Sequence, residues 1–170
     1  GTAAMMIKTI LNNNAVIAID ENEKEVVIVK NGIGFNSKKG MVLKDNDMEK
    51  VFILQEKNVS DDMIHLLSLI SEEYIEVSKK IVDYGRTVLK TGVHDSIYVT
   101  LSDHIELAVS RKKKGIAFDN AMTWSIKKTY REEYHIGEVA LKIIQIECGV
   151  TLPEEEAGLI ALHFVNAKIH

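Results

Sequence analysis

Two hydrophobic rhythms divide the chain. Up to residue 54 the apolar positions fall in short runs: MIKTIL (6–11), AVIAI (15–19), EVVIVK (25–30) and VFIL (51–54). Short, β-branched runs bounded by polar turns predict strands, here about four in a small antiparallel sheet. Asn12-Asn13-Asn14 marks the first turn, because Asn bonds its own backbone and tolerates left-handed geometry. Asp20 to Lys24 forms the next loop, and Asn31, Gly32 and Gly34 lead to Phe35. Met41-Val42-Leu43 stands in a polar stretch with little pattern.

From Ser60 the period lengthens to that of a helix. Met63, Ile64, Leu66, Leu67 and Ile70 open the first helix, with Ser60 or Asp61 as its cap. A second carries Ile75 to Leu89, with Ser71 as a candidate cap and Gly92 as its stop. In YVTLSDHIELAVSRKKK (98–114), preceded by Ile97, the positions Ile97, Leu101, Ile105 and Ala108 share one face. Arg111 to Lys114 make a basic last turn before Gly115. A helix near Asn120 to Tyr130 carries Trp124. Another runs from Ile136 to Glu147, with Val139, Ala140, Ile143 and Ile144 inward and Gly149 as its stop. Thr151 and Glu154 have capping-box spacing, and Pro153 suits a first turn. The final helix is apolar on nearly every side from Ala157 to Val165, as expected inside a bundle. The fold class is therefore α+β, a small four-stranded antiparallel sheet followed by an all-α bundle. So small a sheet buries little apolar area alone and is expected to pair with a second copy.

At 170 residues, 46% hydrophobic and 27% charged, the chain suits one domain or two small ones. No apolar run reaches the roughly 18 residues a membrane span needs. The single Cys148 excludes an internal disulfide and suits a reducing cytoplasm. Net charge is −4, and residues 1–60 balance 8 Lys against 8 acidic residues. Bulk charge thus gives no sign of nucleic-acid binding, which would need local shape and a few contacts. GTAA reads as a cloning remnant before a start at Met5 or Met6. We expect residues 1–5 to be that remnant, 6–59 the sheet domain, 60–70 a helical linker and 71–170 the helical domain.

Several stretches in order, ILNNNAVIA (10–18), NGIGF with Lys38-Lys39 (31–39), KVFIL (50–54), DSIYVTLSDHIELAVSR (95–111) and GVTLPEEEAGLIALHFVNA (149–167), resemble the BglG/SacY family of bacterial transcriptional antiterminators. The resemblance runs over residues 6–170 and lies closest to the branch controlling β-glucosides and related sugars. It implies an N-terminal RNA-binding domain and one phosphotransferase-system regulation domain, with a second such domain absent from a truncated form. The first would bind a leader RNA hairpin as a homodimer, preventing termination. The second would receive phosphoryl groups on His104 and His163 from HPr and a sugar-specific enzyme II. The implied RNA contacts are Asn12, Asn14, Lys30, Asn31, Gly32 and Phe35, with Asp103 as support for the phosphosite. The chain departs from the family at Thr9, where relatives often have Lys, at Lys30-Asn31, and at Ser125, where relatives usually have Glu.

The residue chemistry agrees in kind. Amides read base edges, an aromatic ring stacks on an unpaired base, and Lys30, Lys38 and Lys39 suit phosphates. The same Asn residues also suit plain turns, and Phe35 a core position. Neutral imidazole is a nucleophile near pH 7, yet a His beside an apolar stripe is also a common hydrogen-bonded residue. Arg111 to Lys114 and Glu154 to Glu156 each suit a solvated helix end. His65, His94, His135 and His170 have no metal-cage spacing. We expect no cofactor, no metal and no catalytic turnover. The competing class is a phosphocarrier or enzyme that passes the phosphoryl group onward, and that class needs an assisting acid or base.

Overall fold

The computed structural model describes residues 4–44, 51–54, 60–116 and 123–169. The leader GTAA, the expected end of the sheet domain at residue 59, the start of the helix expected near Asn120, and His170 fall wholly or partly outside them. The chain divides into two compact units, with the division between Glu72 and Glu73.

The first unit contains β1 (Met5–Asn12), β2 (Ala15–Ile19), β3 (Glu25–Val29), β4 (Val42–Leu43), β5 (Phe52–Leu54) and α1 (Asp61–Leu69). The strands form an antiparallel sheet in the order β4-β1-β2-β3-β5. Four strands are expected, and the described residues hold five. The addition is Val42–Leu43, which pairs with Met6 and Met5 at the sheet edge. Two residues are too few to show an alternating pattern, so only the pairing reveals that strand. Ile7, Val16, Ala18, Val26, Ile28, Ile33 and Leu43 form the core of the sheet, with Met5, Val51 and Ile53 packed against it. Register shifts between Ile7 and Thr9 and between Ile10 and Asn12 break the alternation of β1. Ser60 caps α1, its hydroxyl accepting from the Met63 N–H at 3.2 Å.

The second unit holds α2 (Glu72–Val88) from Glu73 onward, α3 (Ser96–Lys113), α4 (Thr123–Thr129), α5 (Arg131–Cys148) and α6 (Glu155–Ala167). Ile97, Leu101, Ile105 and Ala108 of α3 are all buried, as their spacing predicts. Helix α5 starts at Arg131, five residues before the expected Ile136, because its first turn is polar outside and buries Glu133 and Tyr134 inside. Ala140 and Ile144 are buried, while Val139 and Ile143 are half-buried. Gly149 ends the helix in the left-handed conformation, with φ 69°. The Thr151–Glu154 capping box does not form. Glu154 itself is the helical N-cap, without a side-chain cap bond, and the Pro153 carbonyl accepts from the Glu156 N–H at 3.0 Å.

Helix α6 packs against α3, α4 and α5. Its approach depends on missing side chains. A Cβ at Gly137 of α5 would lie 2.1 Å from the Ala157 carbonyl oxygen, and one at Gly85 of α2 would lie 2.4 Å from the Phe164 ring. Around Arg86 the guanidinium donates to Asp95 Oδ1 (2.9 Å), the Val93 carbonyl (2.9 Å) and the Tyr98 hydroxyl (2.7 Å), tying α2 to the start of α3. The end of α6 is pinned by the His94 N–H donating to the Ala167 carbonyl at 2.8 Å.

Gly137→Ala is expected to destabilise the helical unit by about 2 kcal/mol or more, since overpacking here meets backbone and not a movable side chain. Thermal unfolding should show a drop in Tm of roughly 5 °C. An unchanged Tm would show that the α5–α6 contact is looser than described.

Candidate functional site

Two groups of residues stand out, one in each unit. In the first unit the Asn12–Asn14 turn and the Lys30–Asn36 loop are laced together. The Asn12 side-chain oxygen accepts from the Asn14 N–H at 2.8 Å, and the Asn14 side-chain oxygen accepts from the Gly32 N–H at 2.8 Å. The Lys30 N–H donates to the Asn14 carbonyl at 2.9 Å, and the Gly34 N–H to the Asn13 carbonyl at 2.8 Å. A Cβ at Gly34 would stand 1.8 Å from the Asn12 carbonyl oxygen, so only glycine lets the two loops close. Gly32 has φ 78°, which also favours glycine. On this base Phe35 projects with 80% of its surface exposed. Asn31, Lys38 and Lys39 are exposed beside it in sequence, and Lys30 is half-buried.

The sequence candidates therefore do two kinds of work. Asn12, Asn14 and Gly32 build the loops, while Phe35 and Asn31 face outward from them. An exposed aromatic ring on a hydrogen-bonded platform is what base stacking requires.

In the second unit His104 of α3 and His163 of α6 meet, their ring centroids 5.0 Å apart and tilted by 52°. The carboxylate at this pair is Glu156 of α6. Its side chain is 2% exposed, and its Oε2 lies 2.7 Å from His104 Nε2. Its Oε1 accepts from Arg111 Nη2 at 3.1 Å. Asp103 is half-buried next to His104 in sequence and has no hydrogen bond or ion pair to either histidine. In sequence, Glu156 and Arg111 look like ordinary charged helix ends. The signal that would have found them is spacing. His104 and Arg111 are seven residues apart on α3, and Glu156 and His163 are seven apart on α6. Two turns place each pair on one face.

Burial pushes His163 down to about 4, and the neighbouring His104 charge adds to the effect while Glu156 opposes it. His163 is thus neutral near pH 7. Burial also raises the Cys148 thiol, as do the nearby charge of Glu73 and its hydrogen bond, so this cysteine is not an activated nucleophile. Among the described residues no group of three or more His, Cys, Asp and Glu is gathered as a metal cage. Among the described residues no helix is long and apolar enough to cross a membrane.

A β-sheet unit with an exposed aromatic on laced loops, joined in sequence to a helical bundle with an internal histidine pair, defines a two-part class of protein. Residues 5–61 match the CAT RNA binding domain, and residues 79–167 match the PRD domain. The chain belongs to the BglG/SacY family of transcription antiterminators, which combine these two domains. It is similar to the transcription antiterminator LicT of Bacillus subtilis (strain 168), with 42% identity over 166 residues, covering 98% of this chain and 60% of that protein. It is also similar to the beta-glucoside operon antiterminator of Dickeya chrysanthemi, with 36% identity over 97% of this chain and 58% of the relative. The chain thus spans about 60% of the length of the curated relatives it matches. Among solved structures it resembles the crystal structure of GlcT CAT-PRDI, with a TM-score of 0.76, 30% identity, and 98% and 99% of the two chains covered.

The low His163 value carries a stability consequence. In the unfolded chain the ring titrates near the ordinary ~6.5, well above its folded value. Between those values the unfolded state binds the proton more readily, so stability falls as pH falls from about 6.5 toward about 4. The loss attributable to this ring is on the order of 3 kcal/mol. Denaturant unfolding across that window should show the loss in the wild type and a flatter profile in His163→Gln. Parallel profiles would contradict the assignment.

Proposed function

We propose that the chain is an RNA-binding transcriptional antiterminator. It stabilises a leader-RNA hairpin in a sugar-utilisation operon and is regulated by histidine phosphorylation from the sugar phosphotransferase system. The observation that carries the RNA-binding part is the exposed Phe35 on the laced Asn12–Asn14 and Lys30–Asn36 loops, within the match to the CAT RNA binding domain. In this reading Phe35 stacks on an unpaired base, Asn31 reads a base edge or phosphate, and Lys30 meets the backbone. Asn12, Asn14 and Gly32 hold the loops in shape and contribute contacts where their edges face the RNA.

The regulatory part is supported by the meeting of His104 and His163 within the match to the PRD domain. HPr and a sugar-specific enzyme II are the donors in this reading, and Asp103 lies at the edge of the phosphosite. Residues 6–59 form the RNA-binding part, 60–70 the linker and 71–170 the regulation domain. The chain acts as a homodimer in the cytoplasm. A phosphoryl group brings about −1.5 to −2 charges, duplicated by symmetry in a dimer, so phosphorylation at either histidine opens the regulation-domain interface.

The first test is binding of the chain to a leader hairpin with internal loops, at stated salt, by titration calorimetry. Tight binding is expected, weakened on the order of tenfold in Phe35→Ala, the loss of one base stack. No binding to any such hairpin by a dimer would overturn the reading. In parallel, dimer mass is measured before and after treatment with phosphorylated HPr. A shift toward monomer is expected, and an unchanged dimer carrying phosphohistidine would sink the regulatory mechanism.

A further inference from the structure

We propose that Glu156 is a positioning residue that holds His104 as its Nε2–H tautomer and so directs phosphoryl transfer to Nδ1. The inference rests on the reading of His104 as a phosphoryl acceptor.

Both oxygens of the Glu156 carboxylate are engaged, Oε2 by His104 Nε2 at 2.7 Å and Oε1 by Arg111 Nη2 at 3.1 Å. The side chain is almost wholly buried, so water does not compete for either bond. A carboxylate held by a guanidinium is an acceptor only. The hydrogen in its contact with His104 must therefore come from Nε2. A neutral imidazole protonated at one nitrogen carries its lone pair on the other, which leaves Nδ1 as the nucleophile. The arrangement parallels the way a carboxylate orients a catalytic or metal-binding histidine through the far ring nitrogen.

The transfer balances without a proton leaving His104. The Nδ1 lone pair forms the new N–P bond. The N–P bond of a phosphohistidine on the donor protein breaks, and its electron pair returns to the donor ring. His104 then carries the positive charge of a protonated, phosphorylated imidazole. Glu156 stands 2.7 Å from the nitrogen that bears the proton, where a negative charge favours that product. His163 faces the same ring from 5.0 Å and is uncharged near pH 7, so it does not supply that compensation. Phosphorylation at Nε2 would instead have to expel Glu156 from a buried bond and leave Arg111 as its one charged partner, a costly exchange.

The test uses potassium phosphoramidate as donor, which needs no carrier protein, on the ¹⁵N-labelled chain. Before treatment, long-range ¹H–¹⁵N spectra above the imidazole range should show His104 with its proton on Nε2. After treatment, the same spectra with ³¹P detection should place the phosphoryl group of His104 on Nδ1. In Glu156→Gln the tautomers should mix and the rate of His104 labelling should fall about tenfold, while labelling of the exposed His135 is unchanged. An Nε2 adduct on His104, or no labelling of His104 while exposed histidines react, overturns the proposal. So does an unaltered tautomer and rate in Glu156→Gln. If that variant fails to fold, the wild-type spectra decide alone. Failure of HPr and enzyme II to phosphorylate the chain would sink the regulatory reading and leave the tautomer assignment intact.

Discussion

Helix α6 lies where it does because two of its neighbours carry no side chain at the point of contact. Gly137 admits the Ala157 backbone, and Gly85 admits the Phe164 ring. This seating sets the height of α6 against α3, and that height brings Glu156 level with the span between His104 and Arg111. Packed cores transmit small displacements because they hold few voids. A shift of one turn would carry Glu156 about 5 Å along the axis and out of reach of His104. The steric match at two glycines thus underlies the polar arrangement at the histidines.

That polar arrangement in turn explains how ionisable groups survive in the bundle. A buried carboxylate without partners is costly, and Glu156 has two. The histidine pair divides its work between them. His104 carries the hydrogen bond to the carboxylate, and His163 stays neutral chiefly because burial disfavours its charged form. A new dianionic group on either ring would enter a place already organised around one negative charge.

The sheet unit solves a different problem. Its loops must present an apolar ring to solvent without collapsing around it. The backbone bonds between Asn13 and Gly34 and between Asn14 and Lys30, with the side-chain bond from Asn14 to Gly32, hold the base of the Phe35 loop. The exposed ring is thereby separated from the core that Ile7, Val16, Ile28 and Ile33 form behind it. Ordering the loop before it meets a partner reduces the entropy lost on binding.

How much of this was legible in the chain follows the range of the forces involved. Among the described residues, periodicity identified β1, β2, β3, β5 and the helices α1 to α6, because β-branched runs and the face of Ile97, Leu101, Ile105 and Ala108 are local signals. Family motifs added the two histidines and the loops around Phe35. Local signals also misled. Thr151 and Glu154 have capping-box spacing without forming one, since the chain at Leu152 and Pro153 turns into the core before α6 begins, leaving Leu152 buried. The two-residue strand at Val42–Leu43 was invisible, because its identity lies in the partner strand. Above all, the seven-residue spacings mark Glu156 and Arg111 only as sharing a helix face with a histidine, not as the partners of His104. They are 52 and seven residues away from it, and charged residues at helix ends are ordinary. The sequence by itself determined which residues form each element and which faces are apolar, because those depend on neighbours a few positions away. Only the tertiary structure decided which carboxylate meets the histidines and on which ring nitrogen, because that is set by the packing of α6 against helices far from it in the chain.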